Sequence, residues 1–153
     1  KGPAMTKLLL LIHFASTWYL VGLCWLVQRV QYPLMSRVGA ENYRAYEQGH
    51  VTQIGPVVAP MMILEVATAL ALLLSGEEVF RRPAFLASLG LLAAIWRSTF
   101  LLQVPLHNAL GQGYDASAHT ALVKTNWIRT LAWTARGAIL TWLMHSFTFE
   151  SAS

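Results

Sequence analysis

Residues 8–28, LLLLIHFASTWYLVGLCWLVQ, decide the fold, because no charge falls between Lys7 and Arg29. At about 1.5 Å of rise per residue this run reaches roughly 30 Å as a helix, the thickness of a bilayer's hydrocarbon core. It is too long for the apolar core of a secretory leader and lacks a small-residue cleavage site, so a retained spanning helix is expected. Lys1-Gly2-Pro3-Ala4, ahead of Met5, reads as an expression-tag remnant and is set aside. Residues 5–153 read as one domain.

Composition extends the same reading to the whole chain. The 153 residues are 56% hydrophobic and 12% charged, with a mean hydropathy of +0.48. A soluble domain of this size has too much surface to hide that apolar area, so lipid is the expected solvent. The net charge is +4, yet the basic residues form no stripe. Arg81-Arg82 is the one adjacent pair and follows Glu77-Glu78, as in a solvated loop touching lipid headgroups. Nucleic acid is not an expected partner. Cys24 is the sole cysteine, which excludes an internal disulfide, a CxxC centre and a thiolate zinc site.

Four spans follow, at about 8–28, 51–74, 84–104 and 126–145. Tyr32-Pro33 is expected to end the first and Pro105 to end or bend the third. Residues 36–50 are short, charged and tyrosine-bearing, which predicts a separate interfacial helix between spans 1 and 2. Pro56 and Pro60 predict a kink in the second span. Gly111–Asp115 reads as a turn, with Asp115 or Ser117 capping a short helix through Lys124. The expected architecture is an all-α, up-down, four-helix membrane bundle with both termini on one side. Basic residues near the two faces are too evenly divided to orient it.

Charges inside the spans point to a polar interior. Arg97, Arg129, Arg136 and Glu65 each lie within otherwise apolar helices, where an ionised group costs roughly 2.5–3.5 kcal/mol even on lenient scales. Helical spacing places Asn126, Arg129, Trp133 and Arg136 on one face of the fourth span. Gln28 lies on the polar stripe of the first, and Gln103 shares a stripe with Trp96 and Thr99 while Arg97 points elsewhere. Counted in turns, Arg136 and Glu65 reach similar depth, making them the best buried ion pair, with Arg97 the other candidate for Glu65. Arg129, about one turn in, either snorkels to the surface or faces the site.

His50 and His107 end neighbouring helices at one face. They are read as a general base, as axial haem or metal ligands, or as ordinary helix-end hydrogen-bonding groups. His13 and His145 are expected at the interface and His119 in a solvated loop. With Glu65 as the sole intramembrane acid, a di-iron carboxylate bundle is disfavoured, and neither an HExxH helix nor a phosphate-binding glycine loop is present.

From Val104 onward the chain resembles the anthrone-oxygenase-like family of small four-helix membrane proteins. The residues that carry the likeness are Val104-Pro105-Leu106-His107-Asn108 and Asn126-Trp127-Ile128-Arg129-Thr130. The first half is similar to bacterial membrane proteins through Gln31-Tyr32-Pro33-Leu34, His50, Ile54-Gly55, Pro60 and Glu65. The resemblance implies the four-span fold and a bacterial inner-membrane location. It also implies oxygenation of a polycyclic phenolic compound without a defined cofactor, and adds Asn108 and Thr130 to the site.

The expected function is therefore an oxygenase-like oxidoreductase acting on a hydrophobic phenolic or anionic small molecule. His50, Glu65 and His107 would move protons. Gln28, Gln103, Asn108, Asn126, Arg129, Trp133 and Arg136 would bind the substrate. Two alternatives stay open: a carrier for a lipid-like or anionic solute with Glu65 as the proton-coupling group, and a bis-histidine haem or metal protein. Membrane lipid is the expected surrounding, and four short spans leave faces on which copies could associate.

Overall fold

The computed structural model describes residues 3–150, with side chains for residues 4–146; Lys1 and Gly2 of the expected tag remnant lie outside the described residues. The chain is all-α. Helix α1 (Pro3–Leu26) passes through a π-helical turn (Val27–Gln31) into α2 (Tyr32–Met35). Helix α3 (Ala40–Leu73) follows, and a 3₁₀ turn (Glu78–Arg81) leads to α4 (Pro83–Ser98). A second π-helical turn (Thr99–Gln103) joins α4 to α5 (Val104–Leu110), and α6 (Ala116–Glu150) completes the bundle. Three continuous helical runs, Ala4–Met35, Ala40–Leu73 and Pro83–Leu110, are long and apolar enough to cross a membrane. The long α6 carries Asn126, Arg129 and Arg136, which lower its apolar character below theirs.

Two expected breaks are absent, and both for one reason. Pro33 and Pro105 do not end their helices, because each sits just beyond a π turn. A proline ring collides with the carbonyl four residues back and leaves it without a donor. Here those carbonyls, of Arg29 and Leu101, lie inside the widened turns. The ladder is carried past by longer bonds, Tyr32 N–H to the Val27 carbonyl and Val104 N–H to the Thr99 carbonyl. The two copies share Gln-x-Pro-Leu, at Gln31–Leu34 and Gln103–Leu106. Each half of the chain is thus a π-broken helix, a turn and a helix of 34 or 35 residues.

The separate interfacial helix expected at 36–50 is also absent. Residues 40–50 are the first turns of α3, which runs unbroken through Pro56 and Pro60. Tyr43, Glu47 and His50 are buried on one face of it, and that packing holds the segment in register with the rest. Likewise the helix expected to stop at Lys124 continues as α6. Asp115 caps it, accepting from the Ser117 and Ala118 backbone N–H groups, both at 2.8 Å. At the turn after α3, Gly76 takes φ of 89°, which only glycine adopts freely.

The long helices form an arc in the order α3, α1, α6, α4, with little direct packing between α3 and α4. The α1–α6 seam is tightly closed. Trp18 Nε1 donates to Thr141 Oγ1 at 3.3 Å, and Trp25 Nε1 to Thr134 Oγ1 at 3.0 Å. A Cβ at Gly137 would lie 3.2 Å from the Trp18 ring, so glycine there permits the close approach. Three apolar layers fill the interior, one around Leu72, Phe80 and Phe85, one around Leu20, Met62 and Ile95, and one around Met35, Tyr43 and Leu122. Leu11, Ile63, Leu70, Leu101, Leu131 and Trp142 are exposed on the outer faces, an apolar coat suited to lipid.

Candidate functional site

The interior holds two polar clusters at different depths. The deeper one is built on Glu65 of α3, which is fully buried. Its Oε1 accepts from Thr17 Oγ1 at 2.6 Å, from Arg136 Nη2 at 3.0 Å and from Arg136 Nε at 3.3 Å. Its Oε2 accepts from Trp133 Nε1 at 3.1 Å. The remaining arm of Arg136, Nη1, donates to Ser88 Oγ at 3.0 Å and to the Ser88 carbonyl. Arg136 Nη2 also faces His13 Nε2 at 3.5 Å, leaving His13 Nδ1–H to donate to Thr68 Oγ1 at 2.9 Å.

The expected Glu65–Arg136 pair is therefore present, with both side chains at 0% exposure. Each charge cancels the other, and α1, α3, α4 and α6 all contribute to the clasp. His13, expected at the interface, lies inside this cluster, because α1 extends far enough to bury it at 0% exposure. Arg97 does not join: it is exposed on the outer side of α4.

The second cluster lies toward the α2/α5 end and lines a cavity of about 430 Å³. His107 is at its centre. Nδ1 meets Glu47 Oε1 at 2.5 Å and Nε2 meets the Tyr32 hydroxyl at 2.9 Å. A carboxylate accepts, so Nδ1 carries the proton and Nε2 takes the Tyr32 O–H. The result is a hydroxyl, an imidazole and an orienting carboxylate in line, the arrangement that activates a nucleophile or moves a proton. The π turns bring this about, since Tyr32 and His107 each follow one in equivalent stretches. The His50 ring lies 5.4 Å from that of His107, and its Nδ1 accepts from Gln31 Nε2 at 2.7 Å. His50 is shared between the cavity and a shallow outer cleft formed with Gln31, Tyr46 and Gln53.

Helix α6 supplies the facing wall. The Arg129 guanidinium lies 5.2 Å above the Trp133 ring, turned inward and only 9% exposed. Among the described residues no carboxylate forms an ion pair with Arg129. Asn126 Nδ2 donates to Gln28 Oε1 at 2.9 Å, and Gln28 in turn bonds the Val123 carbonyl. Gln103 Nε2 donates to Thr125 Oγ1 at 3.0 Å. Gln103, Asn126, Arg129 and Trp96 line the cavity, and among the described residues Gln103 Oε1, Asn126 Oδ1, Arg129 Nε and Trp96 Nε1 are buried without a partner. Buried polar groups are rarely left so, and four on one cavity mark where a ligand's polar atoms fit.

Of the residues singled out in the sequence, the cavity gathers His50, Gln103, His107, Asn108, Asn126, Arg129 and Trp133. Gln28 stands behind Asn126 and positions it. Glu65 and Arg136 do not line the cavity; Trp133 connects the two clusters, its N–H on Glu65 and its ring under Arg129. Thr130 holds Cys24 Sγ at 3.3 Å. His119, expected in a solvated loop, is 7% exposed in α6 and donates to the Tyr32 carbonyl at 2.8 Å, fixing the end of α2.

Glu47 and Tyr32 were not anticipated. Glu47 sits one turn before His50 on the inward stripe of α3, and that spacing was the available signal. A bis-histidine haem does not fit. Both ring nitrogens of His107 are already engaged, which leaves one open imidazole nitrogen, on His50. Among the described residues no group of three or more histidine, cysteine, aspartate or glutamate side chains could hold a metal ion.

No protein-family model, curated protein or solved structure matches the chain. His107 and Asn108 of α5 and Asn126 and Arg129 of α6 line the same cavity.

Proposed function

We propose that this chain is a four-span membrane protein whose cavity is the active site of an oxygenase-like oxidoreductase acting on a hydrophobic phenolic or anionic small molecule. The observation that carries the reading is the Tyr32–His107–Glu47 chain opening onto the cavity that Arg129 and Asn126 also line. A phenolic or enolic O–H placed there loses its proton to the Tyr32 oxygen as Tyr32 passes its own to His107 Nε2, with Glu47 holding the ring and compensating its charge. Arg129 stabilises the oxygen anion, in a setting where low dielectric strengthens the attraction, and the Asn126 Oδ1 can accept from a second hydroxyl of the substrate. The electron-rich anion is then the reductant toward dioxygen, which this reading requires as co-substrate.

Such an arrangement works at α6 only if that helix also crosses the bilayer. Its inward polar face and its exposed Leu131 and Trp142 support that placement. The test is oxygen uptake by the purified protein over a panel of hydrophobic phenols. Uptake that depends on His107 supports the proposal. No uptake, no bound phenol and no effect of Arg129→Gln would reject it.

The carrier reading draws on the same cavity, but its proposed coupling group is Glu65, which is sealed by four donors and does not reach the cavity. Catalysis is therefore preferred.

A further inference from the structure

The cavity's shape says where its ligand comes from. Helices α3 and α4 scarcely pack together, while α3 is tied to the α4–α5 run at both ends, by Glu47 and His107 of α5 at one and by Leu72, Phe80 and Phe85 at the other. Between the ties lies a side opening. Ile63 of α3 and Phe100 of the second π turn line the cavity and are yet 61% and 58% exposed, so they form its lips. The opening is apolar, and no aspartate or glutamate is among the described residues that line the cavity. Arg97 is exposed one turn from Phe100, near the middle of the Pro83–Leu110 run, a costly place for a lone charge in lipid. At the inner end stands Arg129, without a carboxylate partner and with Nε open.

We propose that the opening admits an anionic amphiphile dissolved in the bilayer, met at the lip by Arg97 and seated with its charged oxygen on Arg129. This rests on reading the cavity as a ligand site and adds its substrate class and route. The two arginines give an anion a favourable position before and after it passes the apolar lips. A neutral molecule of equal length gains neither.

The test uses protein in nanodiscs and α-bromododecanoate, whose bromine would quench Trp133 once the carboxylate reaches Arg129. Saturable quenching that unlabelled dodecanoate competes away is expected, and at least tenfold weaker binding for the methyl ester. Gly55→Phe fills the opening, since nothing lies within 4 Å of a Cβ built there, and should slow the quenching at least tenfold. Phe100→Ala trims a lip and should speed it severalfold. Arg97→Gln should slow binding while keeping its final amplitude.

Wild-type rates in both Gly55→Phe and Phe100→Ala would overturn the side route, and should Gly55→Phe not fold, Phe100→Ala decides alone. Equal binding of acid and ester would overturn the anionic class. Oxygen uptake measured in parallel separates the two proposals: saturable binding without uptake of oxygen by any phenol removes the oxygenase and leaves the route. Oxygen uptake from a phenol, with wild-type binding rates in both lip variants, does the reverse.

Discussion

The two interior clusters use the same kinds of residue to opposite ends. Around Glu65 every charged atom has a partner: four donor contacts converge on the carboxylate, and Arg136 spends its whole guanidinium on Glu65, Ser88 and His13. Around His107 the bonding stops short: Gln103 Oε1, Asn126 Oδ1 and Arg129 Nε, in residues that line the cavity, have no partner among the described residues. Completed networks fix structure, because a missing member leaves a buried charge exposed to low dielectric. Incomplete ones hold free energy available for a ligand. A buried arginine is thus no evidence for a binding site until its donors have been accounted for.

That contrast is broken most severely by cutting the clasp. Glu65→Leu or Arg136→Met alone should cost about 3–5 kcal/mol of stability, since each strands its partner's charge. The double variant, Glu65→Leu with Arg136→Met, should recover most of that loss in chemical denaturation. If the singles were neutral, the clasp would not be structural.

Next in size, His107→Gln, whose amide still donates to the buried Glu47 carboxylate, should lower turnover by about 10²–10⁴, the range of general acid–base catalysis, with a melting temperature near that of the wild type. Glu47→Gln, acting through His107 as a positioning residue, should keep ligand affinity yet lose turnover. Its readout is kcat falling at constant KM. A rise in KM, with kcat and melting temperature both falling, would mark Glu47 as merely structural.

The smallest effect is expected at the α6 cap. Hydrogen bonds from the Ser117 hydroxyl and from the Ala118 and Ser117 backbone N–H groups hold the Asp115 carboxyl below its ordinary range. A group lowered in this way stabilises the fold above the ordinary carboxylate pKa and loses that contribution as pH falls through its own lowered value. Amide exchange at residues 117–119 should therefore quicken only in strong acid, and at all pH values in Asp115→Ala. Exchange that is independent of both would show the cap to be idle.

The sequence made the clasp legible because depth along a helix is simple arithmetic: Glu65 and Arg136 fall at one level, and an unpaired charge there is costly. Arg129 and the two histidines were legible through stripe and helix-end position. Glu47 was not, since Glu41, Arg44 and Tyr46 around it read as an interfacial segment, and its inward turn shows only once α3 is seen to run on. Tyr32 and His107 meet through two π turns, which shift the facing of everything after them by a residue. No count in steps of 3.6 anticipates that. His13 and His119 were hidden differently, because their burial depends on where α1 and α6 begin.

Binding of a hydrophobic phenol to Arg129→Gln, read by titration alongside thermal unfolding, tests the division between the clusters most directly. The expected result is affinity at least about tenfold weaker, as for loss of a charged hydrogen bond, with an unchanged melting temperature. Wild-type affinity in that variant, or a collapse of stability equal to that of Arg136→Met, would contradict it.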